Sequence, residues 1–380
     1  MIAPVLPELR AAQPKSRFDV ELATPADDPE LRELVRRSPI PGSISVTFER
    51  EPNFFEACRI RGGFFQVGVG RDRRTGKIIG LGTRSVSDAF VNGRATPLGY
   101  LADLRLNAEY RGGTLIARGY RFLRRLHQDR RTRLYTTLIF NGNRAALATI
   151  ASGRAGLPRY HDMGIVHSPG INIRSAKPQI DAGCDVLCGS DDMLPEIVTC
   201  LNRNNARRQF APVHTVASSK SQWRDFKVSD FYVAVRGSKV IGALGRWDQS
   251  CFKQTRVAGY STGLRWAIPL ANALRRVTQA PRFPKPGEEL AYFYVSFTAV
   301  DDDDVQVFRA LLRRAYNDAV GCRYLYAILA LHERDPFLPA LREYSLTPFS
   351  AHLFCVTFED GEDIFASLDD RIPYLEAATF

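Results

Sequence analysis

The spacing of apolar positions changes once between residues 104 and 126. Leu104, Arg105 and Leu106 alternate as the end of a β-strand does, whereas later apolar positions recur with helical spacing. The helical set is Leu115, Ile116, Gly119, Phe122, Leu123 and Leu126. The pattern predicts a strand, a short loop and an amphipathic helix in direct succession.

The loop between these two elements carries a chemical signal. It runs from Asn107 to Arg111 and continues into Gly112, Gly113 and Thr114. The first turn of a helix leaves backbone N–H groups unpaired, and the helix dipole places partial positive charge at the same end. Both features favour an anion, and Arg111 adds a cation beside them. We therefore predict that this segment seats a phosphate or pyrophosphate group.

The same residues resemble a known family motif. The run L-R-L-N-A-E-Y-R-G-G-T-L-I-A is similar to the acetyl-CoA loop of the GNAT acetyltransferase superfamily, which follows the fourth strand and reads [RQ]-x-x-G-x-[GA]. Arg111 matches the first position of that motif. Thr114 stands where the motif has its central glycine, and Ile116 where it has its last small residue. These two departures predict a narrower loop.

The flanking segments extend the resemblance over residues 17–173. Residues 17–37 predict a strand, a turn and an amphipathic helix with Pro25 at its entry, as members of the superfamily begin. Three further strands are predicted, at 64–69, 77–85 and 134–140. The run N-G-N-R-A-A-L that follows them resembles the N-x-x-A segment of the superfamily.

The resemblance implies an acyl-CoA ligand, acetyl-CoA or another acyl-CoA, and acyl transfer to an amine. Backbone N–H groups of a splayed strand would bind the pantetheine arm and the thioester carbonyl, and the loop with the helix start would bind the pyrophosphate. The cofactor-binding residues implied are Leu104, Arg105, Leu106, Arg111, Gly112, Gly113, Thr114, Leu115, Ile116, Ala117 and Asn143.

Two residues are candidates for proton transfer. Asp103 lies just before the cofactor segment, where it could accept a proton from the amine directly or through a water, or serve only as a salt-bridged carboxylate. The superfamily tyrosine that protonates the thiolate corresponds to Ile150 here. Tyr160 is the substitute we consider, with a packed structural tyrosine as the alternative.

Composition predicts two domains. The chain has 380 residues, of which 45% are hydrophobic, enough to bury two cores. We predict a flexible arm over residues 1–16, an acyl-CoA-binding domain over 17–175 and a second domain over 176–380. No run of 18 apolar residues occurs, so we predict a cytoplasmic protein with no membrane partner. Scattered cysteines and histidines predict no metal site.

The second half repeats the first in outline. Its predicted elements follow the same order: a helix at 193–204, strands at 231–235, 239–246 and 290–298, a helix at 305–316 and a strand at 324–329. The predicted fold class is therefore α/β, with two tandem acetyltransferase-like folds, each a mixed, mostly antiparallel sheet flanked by helices. Asp301, Asp302, Asp303 and Asp304 stand at the position of the anion loop. Carboxylates there favour helix capping over phosphate binding, so this half is predicted to lack CoA.

The two halves of the chain differ in net charge. Residues 1–175 carry 28 lysines and arginines against 16 acidic residues, whereas residues 176–380 carry 24 against 25. A basic half suits an anionic ligand such as CoA. No aromatic-interleaved or helix-turn-helix signature supports a nucleic acid partner. The predicted partner is a small-molecule or peptide amine, and a homodimer stays open.

Two alternatives to an N-acetyltransferase remain. One is a non-catalytic acyl-CoA sensor, suggested by Thr114, Ile116 and Ile150. The other is a tandem-fold transferase that uses aminoacyl-tRNA, suggested by the basic first half. Acyl-CoA binding without turnover would identify the sensor, and absence of acyl-CoA binding would favour the tRNA-dependent enzyme.

Overall fold

Alternating apolar segments form two large sheets and one small one in a computed structural model, which describes residues 17–40, 42–110, 114–151, 157–278 and 282–379. In chain order the strands are β1 Phe18–Leu22, β2 Ile44–Glu49, β3 Phe64–Asp72, β4 Ile78–Val91, β5 Arg94–Leu106, β6 Leu134–Phe140, β7 Arg159–His167, β8 Gly170–Asn172, β9 Asp185–Cys188, β10 Phe231–Arg236, β11 Lys239–Trp247, β12 Gln254–Tyr260, β13 Tyr292–Val300, β14 Tyr326–Ile328, β15 Leu331–His332, β16 Leu346–Thr347 and β17 Ser350–Thr357. The α-helices are α1 Asp28–Arg36, α2 Phe54–Cys58, α3 Leu115–His127, α4 Arg144–Ala151, α5 Leu194–Asn205, α6 Val216–Gln222, α7 Thr262–Thr278, α8 Val305–Ala319 and α9 Glu362–Ala366.

The two large sheets repeat one topology. The first has the strand order β1-β3-β4-β5-β6-β17-β7-β15, and the second, read in the same sense, β9-β10-β11-β13-β14-β8-β16. The described strands form a single parallel pair in each sheet, β5 with β6 and β13 with β14. A helix connects the strands of each parallel pair, α3 in the first sheet and α8 in the second, as parallel connections require. The predicted tandem of mixed, mostly antiparallel sheets is confirmed.

The two halves exchange strands. β17 comes from the second half of the chain and lies between β6 and β7 of the first sheet. β8 comes from the first half and lies between β14 and β16 of the second sheet. The boundary between 17–175 and 176–380 stays a prediction about folding units, but each sheet needs strands from both sides of it.

A β-bulge occurs at the same place in both sheets, just after the parallel pairing. In β5 the residue at the bulge is Asp103, with φ +55°, and in β13 it is Phe297, with φ +54°. Phe297 is buried among aromatic rings, including those of Trp223 and Trp247. In the second sheet this position therefore holds a buried aromatic side chain, whereas in the first sheet it holds a charged group.

The aspartate run before α8 caps that helix, as predicted. The carboxylate of Asp304 accepts hydrogen bonds from the backbone N–H groups of Gln306 and Val307 at 2.9 and 3.3 Å. Asp301 pairs with Arg203 and Asp303 with Arg208. Carboxylates of the chain itself thus occupy the start of this helix. This arrangement supports the prediction that the second half does not bind CoA, which stays a prediction.

We expect His214 to make the fold acid-sensitive. Its ring lies against Trp223 and Phe297, and burial lowers its pKa to about 4. An unfolded chain takes up this proton below pH 6.5, so lowering the pH towards 4 favours the unfolded state. The free energy of unfolding should fall by about 3 kcal/mol over this range through His214 alone.

Urea unfolding of the wild type and of His214→Phe at pH 7 and pH 4 measures this contribution. The difference in free energy between the two proteins should change by that amount between the two pH values. Parallel pH profiles would contradict the assignment.

Candidate functional site

A gap opens between β5 and β6. The two strands pair only at Gly99 with Tyr135 and at Tyr100 with Thr136. Beyond these pairs β5 continues along β4, whereas β6 continues along β17. Residues 102–106 of β5 therefore have a free backbone edge on the β6 side, and such an edge offers N–H and C=O groups to a ligand.

The bulge in β5 lies inside this gap. Leu81 of β4 pairs with Arg105 of β5, and Thr83 pairs with Ala102. Between these two pairs β4 advances by two residues, whereas β5 advances by three. The extra residue bends the strand, as bulges near functional sites do. Leu104 projects into solvent with 56% of its surface exposed. The predicted cofactor-binding strand residues thus lie along an open edge.

Asp103 is locked by two arginines. Arg50 Nη2 donates to Asp103 Oδ1 at 3.0 Å, and Arg61 Nη1 donates to Asp103 Oδ2. The hydroxyl of Thr83 adds a hydrogen bond of 3.1 Å. Burial alone would raise the pKa of Asp103, but the charges of Arg61 and Arg50 outweigh burial and hold it well below its ordinary value. Such a carboxylate is a poor proton acceptor, which favours the alternative of a salt-bridged carboxylate; a role of Asp103 as a base stays a prediction.

The second half completes this charged cluster. Lys253 is buried beside the arginines, and burial together with the charges of Arg50 and Arg61 lowers its pKa well below the ordinary value. Its Nζ donates to the carbonyl of Ala378 at 3.0 Å. Arg61 Nε donates to the carbonyl of Thr379 at 2.9 Å. The cluster therefore ties the bulge to residues more than 150 positions away, and sequence reasoning missed all three cations.

The structure describes only the helical part of the predicted anion seat, which stays a prediction. Arg111, Gly112 and Gly113 lie outside the described residues. Thr114 is the exposed N-cap of α3, and its carbonyl accepts the first helical hydrogen bond, from Arg118 N at 3.0 Å. The N–H groups of residues 115–117 precede that bond and so have no helical partner.

The side chains of this first turn differ in burial. Leu115 is core, because its Cδ1 lies 3.0 Å from where a Cβ on Gly70 would stand. Ile116 is half-buried and Ala117 is exposed. Leu115 therefore anchors the helix against β3, while Ala117 faces solvent.

Tyr160 on β7 pairs with Tyr120 on α3. Their hydroxyl oxygens are 2.6 Å apart. Burial first, and the neighbouring Tyr120 second, raise the pKa of Tyr160 well above its ordinary value. Tyr160 packs in the same apolar cluster as Leu101 of β5 and Ile139 of β6, which flank the gap. Tyr160 thus keeps its proton, and its partner Tyr120 was not predicted.

Asn143 begins α4. Its side-chain oxygen accepts a hydrogen bond from Ala146 N at 3.2 Å, and the residue is exposed. This cap places α4 directly after β6, on the far side of the gap from β5. A contact between Asn143 and a ligand stays a prediction. Ile150 lies in α4, but its side chain is outside the described part.

A groove of about 450 Å³ lies where β2 of the first half pairs with β12 of the second. It is lined by Arg36, Thr47, Glu49, Glu51, Arg256, Val257, Ala258 and Gly287. Along this segment Glu49 and Glu51 line the groove, while Arg50 between them reaches the bulge. This groove was not predictable from the sequence, because its two walls are about 200 residues apart. Among the described residues, no group of three or more side chains could hold a metal ion.

Comparisons with known proteins agree on the fold. No protein-family model matches the chain, and no curated protein matches its sequence. The crystal structure of a GCN5-related N-acetyltransferase from Sphaerobacter thermophilus aligns with a TM-score of 0.55 at 12% identity, covering 96% of this chain and 99% of that one. Saccharomyces cerevisiae N-myristoyltransferase with bound myristoyl-CoA aligns with a TM-score of 0.60 at 11% identity, covering 98% and 89%.

A third solved structure, the GCN5-related glucosamine N-acetyltransferase region of a fungal multi-domain β-N-acetylglucosaminidase, aligns with a TM-score of 0.55 at 13% identity, covering 89% of this chain and 38% of that one. At these identities the likeness concerns the fold. The chain has the GNAT fold that the sequence resemblance implied.

Proposed function

We propose that the protein is an acyl-CoA-dependent N-acyltransferase that transfers an acetyl group from acetyl-CoA to an amine. The observation that carries the proposal is the gap between β5 and β6, with α3 as the next α-helix after β5 in the chain. An open strand edge and a helix N-terminus supply, in order, donors for an amide-containing arm and for a pyrophosphate. Acyl-CoA has both parts in that order.

The described residues fit such a ligand. The free edge of β5 over residues 102–106 can bind the pantetheine amides, and the N–H groups of residues 115–117 can bind phosphate oxygens. Acyl-CoA would supply the acyl group as a thioester. This chain would hold the thioester carbonyl against oriented N–H groups, which stabilise negative charge as it develops on that oxygen.

We assign Asp103 a positioning role. Its carboxylate holds Arg50 and Arg61 and thereby fixes the bulge that opens the strand edge. We assign Tyr160 the role of the acid that protonates the leaving thiolate, because its raised pKa keeps the hydroxyl protonated and Tyr120 orients it.

The acceptor amine is proposed to enter by the groove between β2 and β12. That groove presents Glu49 and Glu51 together with Arg36 and Arg256. Mixed charges of this kind suit an acceptor with both a cationic amine and an anionic group, such as an amino acid or a short peptide. Arg50 lies between the groove residues Glu49 and Glu51 in sequence and contacts Asp103 at the bulge, which supports two neighbouring subsites.

A non-catalytic acyl-CoA-binding protein is the second candidate. The locked carboxylate of Asp103 favours it, because the acidic group within the gap is not free to take a proton. Binding of acyl-CoA is common to both candidates, and turnover separates them.

Calorimetric titration with acetyl-CoA and with free CoA tests the shared part of the proposal. We expect one site per chain with micromolar affinity for both ligands. A screen of amines with a thiol-release readout then tests transfer. Binding with no turnover on any amine would support the sensor, and no binding at millimolar concentration would exclude both candidates.

We predict that Ala117→Glu weakens CoA binding at least tenfold. The residue is exposed in the first turn of α3, where a carboxylate stabilises the helix but repels a phosphate. Titration with CoA measures the loss. Ala117→Gln adds the same bulk without charge and should bind within about threefold of the wild type.

A donor without phosphates provides the second control. S-acetylpantetheine has no pyrophosphate, so its KM should be the same in Ala117→Glu and in the wild type. Equal CoA affinity in the Glu and Gln variants would contradict the anion seat.

A further inference from the structure

Helix α7 presents an apolar face to solvent. Trp266 and Leu270 are 81% and 66% exposed, and Ala273, one turn further, is exposed as well. These positions are spaced i, i+4 and i+7, so they share one face of the helix. Leu264 and Ile268 lie on the opposite face and are half-buried. Among its described side chains, the helix therefore has one half-buried side and leaves Trp266 and Leu270 uncovered on the other.

The charged residues within α7 and just after it in the sequence are all of one sign. Every charged residue from 261 to 287 is an arginine or a lysine, namely Arg265, Arg275, Arg276, Arg282 and Lys285. The first carboxylate after them, Glu288, pairs with Arg282 at 2.9 Å. Arg265 forms no ion pair with any described residue and is exposed beside Trp266. The segment thus combines an exposed apolar face with charged residues of positive sign in sequence, which matches a surface that is itself apolar and anionic.

We propose that α7 binds the surface of an anionic phospholipid bilayer, lying in the plane of the interface. A tryptophan and a leucine on one face with arginine beside them is the composition of interfacial helices. Tryptophan favours the headgroup level of a bilayer, and arginine favours anionic lipid phosphates. No helix in the described ranges is long and apolar enough to cross a membrane, so the contact is superficial.

This proposal revises the sequence prediction of no membrane partner. That prediction considered only segments that span a bilayer, whereas α7 would lie on one. The packing of the helix supports a stable platform, because Asn272 holds residue Phe283 by two hydrogen bonds, one from Phe283 N at 2.9 Å and one to Phe283 O at 3.4 Å. The proposal does not depend on acyl transfer.

Tryptophan fluorescence reads the contact directly. The chain has three tryptophans, and Trp223 and Trp247 are buried. A change in emission on adding vesicles therefore reports Trp266. We expect a blue shift with equimolar phosphatidylcholine–phosphatidylglycerol vesicles, a much smaller shift with phosphatidylcholine alone, and co-flotation of the protein with the anionic vesicles only. High salt should weaken the association.

Variants identify the helix face. Trp266→Ser combined with Leu270→Ser should lower the partition onto anionic vesicles at least tenfold, and Arg265→Gln should lower it several-fold. Leu187→Ser, at an exposed apolar position on β9, should leave it unchanged. The proposal is overturned if the wild type floats with neither vesicle, if the double variant floats equally well, or if the shift depends on protein concentration and not on lipid, which would indicate self-association through α7.

Discussion

Asp103→Asn is expected to lower the free energy of unfolding by roughly 3–5 kcal/mol, the range for removing one partner of a buried ion pair. Arg50 and Arg61 each have only 4% of their side chains exposed, so neither can recover its lost pairing in water. Asparagine tolerates the positive φ of this position nearly as well as aspartate does. The loss can therefore be attributed to charge and not to backbone strain. Chemical denaturation at pH 7 measures it.

Asp302→Asn provides a matched control. Asp302 also has φ +55°, but it is exposed and forms no ion pair with a described residue. Its replacement should change the free energy of unfolding by less than about 0.5 kcal/mol. If Asp103→Asn also changed the free energy of unfolding by less than about 0.5 kcal/mol, the role of the arginine pair would be contradicted.

The acid side of the stability profile provides a second check on Asp103. Its folded-state pKa lies well below that of an unfolded aspartate. Its stabilisation is therefore complete above the unfolded pKa, near 4, and is lost as the pH falls from there towards the folded pKa. In Asp103→Asn this contribution to the acid-side loss should disappear.

The fold class could be predicted because it depends on local patterns. The strand, loop and helix at 104–126 and the repeated order of elements in the second half are readable from the spacing of apolar residues. The exchange of strands was not predictable in this way. Residues 170–172 and 350–357 could form a strand in either sheet, and the neighbouring residues in the sequence do not specify the strand with which each one pairs.

In the candidate site, too, the local parts were predictable and the long-range contacts were not. Sequence located the open strand and the helix start, because both lie in one continuous segment. It placed Asp103 next to the ligand but did not find Arg50, Arg61 or Lys253. The contacts of the two arginines with Asp103 span 53 and 42 residues, and the contact of Lys253 with Ala378 spans 125. Ion pairing across such distances leaves no periodic pattern in a single sequence.

His127 shows the converse error. It lies in an arginine-rich stretch of α3, where the charged neighbours in sequence would favour a solvent-exposed position. In the structure the ring is buried, with Nδ1 2.8 Å from the Tyr135 hydroxyl and Nε2 2.9 Å from Asp360. A charged neighbourhood in sequence therefore did not indicate an exposed residue in the fold, because α3 turns this position towards β6.

If the proposed acyl transfer is correct, Tyr160→Phe is expected to lower kcat about 100-fold or more, the usual contribution of a positioned general acid. The substitution removes only the hydroxyl, and the phenyl ring keeps its contacts with Phe354 and Tyr120. Steady-state thiol release with saturating acetyl-CoA measures kcat, and the KM for acetyl-CoA should change little. Because burial raises the pKa of Tyr160, the wild-type rate should not fall through loss of this proton below pH 10.

A donor with a better leaving group distinguishes catalysis from packing. An acetyl thioester whose thiol is more acidic than that of CoA needs less protonation, so the deficit of Tyr160→Phe should shrink with it. Tyr374→Phe is the matched control, since Tyr374 is also a half-buried, hydrogen-bonded tyrosine with a raised pKa, but it bonds to Glu376 in the second half. Its kcat ratio between the two donors should equal that of the wild type. A Tyr160→Phe deficit that is the same for both donors would assign Tyr160 to the packing between α3 and β7, and the thiolate would then have to take its proton from another group.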